Sequence, residues 1–162
     1  MGGTIDMGAT FGVFRVAAIL GVGTAYGTDA FFALVGRRAL ERSAEASMAE
    51  VMGRLHETAD ERMPVVGVAG MVATVGVAVA AGPGTGRYLG LAALAAQAGF
   101  LVLYTTLSAP INKQLITAAL EGRMPEDARA LQRRWDRVIP ARVALLALAL
   151  GCLAAAETGP SR

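Results

Sequence analysis

Residues 63–81 read MPVVGVAGMVATVGVAVAA, about 19 positions without one charged side chain. At a rise of 1.5 Å per residue, roughly 20 apolar residues cross a hydrocarbon layer about 30 Å thick, so this stretch is long enough to span a membrane. Working outward, residues 10–35, 88–110 and 138–156 are likewise long and predominantly apolar. Lipid offers no hydrogen-bond partner to the backbone, and runs this long exceed a barrel strand, so each is read as a helix. The expected fold class is all-α: an integral membrane four-helix bundle in one membrane domain over residues 1–162, in contact with the lipid bilayer.

Charge sets the orientation. Of 15 Lys and Arg residues, five lie in 36–63 and seven in 113–142, whereas the short connection 82–87 carries Arg87 alone. The positive-inside rule places the two basic connections in the cytoplasm and both termini, with the short loop, outside. No basic residue occurs in the first ten and no small-residue cleavage pattern follows, so the first run is read as a retained span. The net charge of +2 belongs to this topology. No RNA- or DNA-binding motif accompanies it, so nucleic acid is not an expected partner. Cys152, the single cysteine, excludes an intrachain disulfide and a thiolate metal cluster. The spacings Gly23-x3-Gly27, Gly67-x2-Gly70 and Ala92-x3-Ala96 offer small-residue faces for close helix contact.

Both basic connections carry helical patterns. In 39–62, Leu40, Ala44, Met48, Val51, Met52 and Leu55 recur at spacings of three and four, which predicts an amphipathic cytoplasmic helix, continuous with the second span or broken near Pro64. Met124-Pro125-Glu126-Asp127 reads as a helix start ahead of 128–138, and Trp135 is expected at the membrane surface. The third span is expected to close around Pro110. The ends, Met1–Ala9 and Glu157–Arg162, are expected to be mobile.

Polar residues converge at the basic ends of the spans. Asp29 lies inside the first span, where a carboxylate costs a few kcal/mol unless protonated, paired or hydrated, and Tyr26 shares its face. His56 and Asp60 stand four apart on one helical face, a spacing suited to a base and the acid that orients it. Asn112, at the end of the third span, can donate and accept at once. Tyr104, two turns deeper, shares a face with Ser108. Arg142, past Pro140, is the deepest basic residue of the last span's entry and a natural partner for Asp29, Asp60 or an anionic ligand. The candidate catalytic residues are therefore His56, Asp60, Asn112 and Arg142. The candidate substrate-binding residues are Asp29, Tyr26, Tyr104 and Trp135. His56, Asp60 and Glu57 make a thin ligand set, so no metal site is expected, and no flavin, nicotinamide or haem motif appears.

His56-x2-Ala59-Asp60-x-Arg62-Met63-Pro64, Pro110-Ile111-Asn112-x2-Leu115 and Arg134-Trp135-Asp136-Arg137 with Arg142 give the chain a resemblance to the anthrone oxygenase-like family of small four-span membrane proteins. The resemblance covers about residues 11–156. Where the family's pattern commonly has His or Asn three residues before the arginine of the last span, this chain has Ile139. The resemblance implies cofactor-independent oxygenation of a lipophilic, electron-rich polyphenolic ring. Against it stands a non-enzymatic alternative, a ligand-binding partner subunit or small transporter in which Asp29 and Arg142 form a structural pair. A four-span transporter would need a second copy to complete it, so a homo-oligomer is an assembly open to the chain. A roomy cavity containing His56 favours the enzyme; a closely packed cluster with Asp29 salt-bridged favours the alternative.

Overall fold

In the computed structural model, residues 6–158 are described, and every regular element among them is helical. The chain runs through α1 (Met7–Phe31), a π-helical turn (Phe32–Gly36), α2 (Arg37–Arg42), α3 (Glu45–Ala80), α4 (Thr85–Leu103), a second π-helical turn (Tyr104–Ser108), α5 (Ala109–Leu120) and α6 (Ala128–Ala155). These join into four continuous helical stretches of 36, 36, 36 and 28 residues, each long and apolar enough to cross a membrane. The all-α, four-helix reading holds. Residues 1–5 and 159–162 lie outside the described part, and with them most of the ends expected to be mobile. Met7–Ala9 already belong to α1, because Asp6 Oδ1 accepts from the Gly8 and Ala9 amides at 2.9 and 3.2 Å and caps the first turn.

The helices are longer than their apolar runs. Of the two readings of 39–62, the continuous one holds: α3 runs from Glu45 through Pro64 into the second span, and the helix is interrupted only ahead of it, at Ser43–Ala44. Pro64 cannot donate to the carbonyl of Asp60, and near a helix entry that loss is tolerated. The third span likewise does not close at Pro110 but runs on to Leu120. Proline at 110 removes the bond to the carbonyl of Thr106 and crowds it, which accounts for a widened turn at Tyr104–Ser108.

The chain separates into two compact units, each with a segment from every one of the four long stretches. The first comprises Met1–Tyr26, Val65–Gly99 and Leu145–Arg162. Here α1 and α3 meet backbone to backbone: a Cβ added at Gly21 would lie 2.6 Å from Gly70 Cα. Only glycine permits that approach. Of the small-residue faces read from the sequence, Gly70 is used in this way, Gly23 only reaches Leu150 at 4.0 Å, and Gly27 and Gly67 face open space. Among the described residues of this unit the buried polar side chains are Thr74 and Gln97, and Gln97 Nε2 donates to Thr74 Oγ1 at 2.9 Å. Arg15, a cation inside the first span, is accommodated by donating from Nη1 to the Ala156 carbonyl at 2.9 Å, beyond the C-terminal end of α6.

The second unit comprises Gly27–Pro64 and Phe100–Ala144. Its core is Met48, Met52, Ile111, Leu115, Leu131, Trp135 and Ile139, with Phe32 packed against it. Both π-helical turns belong to this unit. The amphipathic stripe of α3 is narrower than the sequence pattern suggests: Met48, Ala49 and Met52 are buried, while Val51 and Leu55 are exposed. The buried line continues instead to His56. α5 ends where Gly122 takes φ +65° and the Arg123 amide donates back to the Ala118 carbonyl at 3.0 Å. Arg129 then closes α2, its Nη1 donating to the Leu40 carbonyl at 2.9 Å and its Nη2 to the Ser43 carbonyl.

Candidate functional site

The second unit gathers polar side chains from all four stretches. Asp29 near the end of α1 is 2% exposed, and Arg142 on α6 is 7% exposed. Arg142 grips Asp29 with both ends of its fork, Nε to Oδ2 at 2.9 Å and Nη2 to Oδ1 at 2.8 Å, while Nη1 donates to Ser108 Oγ at 2.8 Å. The guanidinium also lies 5.1 Å from the Phe100 ring centre, 5.7 Å from Tyr104 and 5.8 Å from Trp135. A planar cation is suited to such a place, because its edge donates to the carboxylate and its faces meet the aromatic rings. The π-helical turn after α4 supplies two members of this frame, Tyr104 and Ser108. The carboxylate whose depth demanded a partner is thus paired.

A second chain of bonds runs beside it. The Tyr104 hydroxyl donates to Asp60 Oδ1 at 2.6 Å, Asn112 Nδ2 donates to the same carboxylate at 3.2 and 3.4 Å, and Trp135 Nε1 donates to Asn112 Oδ1 at 3.1 Å. Asn112 therefore uses both ends of its amide, and this orientation is the one that satisfies both neighbours. Trp135, expected at the membrane surface, is 3% exposed and packs in the core of this unit. Phe32 meets it edge to face at 5.1 Å, and Asn112 provides the acceptor that a buried indole needs.

His56 completes the cluster differently from the sequence expectation. It is 5% exposed, with its ring centre 5.3 Å from that of Trp135, yet its Nε2 has no hydrogen-bond partner among the described residues. The base-and-orienter bond from His56 to Asp60 does not form. One-face spacing leaves about 6 Å of rise between the two residues, and the Asp60 oxygens are taken at bonding distance by Tyr104 and Asn112 across the helix contact. Asp60 and Tyr104 are only partly buried and form the accessible edge of the cluster.

The remaining candidate, Tyr26, is partly buried and falls in the other unit. Sequence reading missed Phe100, whose ring carries no polar signal, and the bonding role of Ser108, visible only as a serine one turn beyond Tyr104. It also missed Gln132, whose Nε2 donates to Asp136 at 2.9 Å while its buried Oε1 is unpartnered. The roomy cavity at His56 is not what the surface offers: the two best-formed hollows among the described residues are shallow and lie elsewhere, one along Leu34, Val35, Arg38, Ala39 and Arg42 and one along α1 from Ala9 to Leu20. No three His, Cys, Asp or Glu side chains gather in a metal-holding group among the described residues. Comparison of the chain with protein-family models, with curated proteins and with solved structures matches none of them, so the functional reading rests on these residues.

Proposed function

We propose that the protein is a membrane-embedded oxygenase-like enzyme acting on a lipophilic hydroxy-aromatic, with His56 as the proton acceptor. The observation that carries the reading is the unpartnered, buried Nε2 of His56 in a cluster whose other members are bonded to one another. A buried polar atom without a partner costs about 1–3 kcal/mol, and of the two such atoms among the described residues, His56 Nε2 and Gln132 Oε1, the histidine nitrogen is the one that can take up a proton. A phenolic O–H or an acidic ring C–H would supply the missing partner, and the Trp135 indole beside it offers a flat apolar face.

Proton removal by His56 would leave an electron-rich enolate. Dioxygen is the oxidant: one oxygen atom ends as a ring carbonyl, the other leaves as water with the two hydrogens of the oxidised CH2. Asp29 and Arg142 are the frame that holds Tyr104, Ser108 and Trp135 in place, and the partly buried Asp60 and Tyr104 are the members through which the closely packed cluster would have to open to a substrate. The resemblance to anthrone oxygenase-like proteins supports this class of substrate. The basic connections face the cytoplasm in this reading; labelling of Arg87→Cys only from the cytoplasmic side of oriented vesicles would overturn that orientation.

The test is a hydroxylated anthrone supplied to the protein in lipid nanodiscs under isotopically heavy dioxygen. The expected product carries one heavy oxygen in its new carbonyl, and His56→Gln abolishes its formation. Close packing of the cluster and the Asp29–Arg142 pair favour a second reading, a non-enzymatic ligand-binding membrane protein. Saturable binding without turnover supports that second reading; neither binding nor turnover refutes both.

A further inference from the structure

We infer that the hollow along the π-helical turn Phe32–Gly36 and α2 is a binding site for an anionic phospholipid, its phosphate held by Arg38 and Arg42 and the start of an acyl chain lying on Leu34 and Val35. These residues, with Ala39, line a hollow of about 310 Å³. Leu34 is 75% exposed and Val35 54% exposed, an apolar surface that lipid can cover. Arg38 and Arg42 are exposed one turn further on, four apart and so on one face. Their separation along the axis, about 6 Å, lets two guanidinium groups close on one phosphate.

Neither arginine is committed elsewhere. The ion pairs among the described residues are Arg54–Glu57, Arg123–Glu121 and Arg142–Asp29, and no side-chain hydrogen bond from Arg38 or Arg42 occurs there. Glu41, the nearest acid in sequence and one turn from Arg38, forms no ion pair among the described residues and does not line the hollow. The segment is also held in place: Arg129 caps the end of α2 through the Leu40 and Ser43 carbonyls. From Leu34 to Arg42 the helix rises about 12 Å, the step from acyl chain to phosphate. An apolar floor that ends in two unpaired arginines fits a ligand that is apolar at one end and anionic at the other. The site is independent of the His56 chemistry.

Native mass spectrometry of the protein released from nanodiscs of equal parts phosphatidylglycerol and phosphatidylcholine reads the bound lipid. The expected result is retention of phosphatidylglycerol in preference to phosphatidylcholine, reduced about fivefold for each of Arg38→Gln and Arg42→Gln. Val35→Trp, which fills the apolar floor without changing charge, lowers retention as well. The double variant Arg133→Gln/Arg134→Gln removes equal charge from α6 and leaves retention unchanged, and soluble glycerol phosphate does not displace the lipid. Retention unaffected by Arg38→Gln/Arg42→Gln, or lost equally in the α6 control, overturns the proposal. Displacement by glycerol phosphate, or indifference to Val35→Trp, shows a phosphate site and overturns the lipid assignment. All the substituted side chains are exposed, and thermal melting in phosphatidylcholine alone checks that each variant is folded.

Discussion

The two compact units are built from the same four helical stretches but hold themselves together by different means. In the first, cohesion comes from small residues: Gly21 lies against Gly70, and Thr74–Gln97 is the polar contact in its buried interior. In the second, helices are tied by charge and hydrogen bonds, through Asp29–Arg142–Ser108 and Tyr104–Asp60–Asn112–Trp135. Lipid is as apolar as the interior of a bundle, so burial of leucine or valine drives little helix association in a membrane. What remains is close packing or polar bonding, and this chain uses one in each unit. The difference also says where chemistry belongs. A glycine contact has nothing to offer a substrate, whereas the polar unit contains His56 Nε2, buried and without a hydrogen-bond partner among the described residues, on which the proposed function rests.

The sharpest way to break the comparison is to remove one half of the buried ion pair. Asp29→Leu leaves Arg142 uncompensated and is expected to cost about 3–5 kcal/mol in reversible unfolding from mixed micelles. The double variant Asp29→Leu/Arg142→Leu should recover much of that loss, because it strands no charge. Strictly additive losses would show that the two residues do not act as a pair.

Glycine substitutions give the matching test with a change of sign. Gly21→Ala drives a Cβ into the Gly70 backbone and is expected to cost about 1–3 kcal/mol. Gly67→Ala, in the same unit, meets nothing within 4 Å, so helix propensity alone acts, and it should stabilise by about 0.5–1 kcal/mol. Equal effects at the two positions would remove close packing as the organising force of the first unit. The smallest effect belongs to Gln97→Leu. Thr74 keeps its bond to the Gly70 carbonyl at 2.8 Å, so the loss should be about 0.6 kcal/mol, and a loss as large as that of Asp29→Leu would make the first unit polar after all.

Hydropathy and charge made the four spans legible, and the cost of Asp29 called for a partner; Arg142 was a candidate for it, as for Asp60 or an anionic ligand. Periodicity overcounted the buried stripe of α3. Val51 and Leu55 fit the stripe of α3 as well as Met48 does, yet they are exposed, and nothing in their chemistry distinguishes them. Trp135 suits a membrane surface by its amphipathic ring and suits a core equally well once Asn112 accepts its N–H. The break at Ser43 depends on Arg129, 86 positions away in sequence, reaching the carbonyls that α2 leaves open. The His56–Asp60 bond failed for a related reason: spacing along one helix says which residues share a face, and a facing helix decides which of them bond.

The chain contains one tryptophan, and its ring lies 5.3 Å from His56, so its emission reports directly on the proposed site. The most direct test of the central claim is a titration of the nanodisc-embedded protein with a hydroxylated anthrone, and in parallel with its O-methyl ether, while Trp135 fluorescence is followed. If His56 Nε2 is the ligand-facing acceptor, the hydroxy compound quenches saturably, the ether binds at least tenfold more weakly, about 1.4 kcal/mol, and His56→Phe loses the discrimination. Identical curves for hydroxy compound and ether in the parent protein, or discrimination that survives His56→Phe, would contradict it.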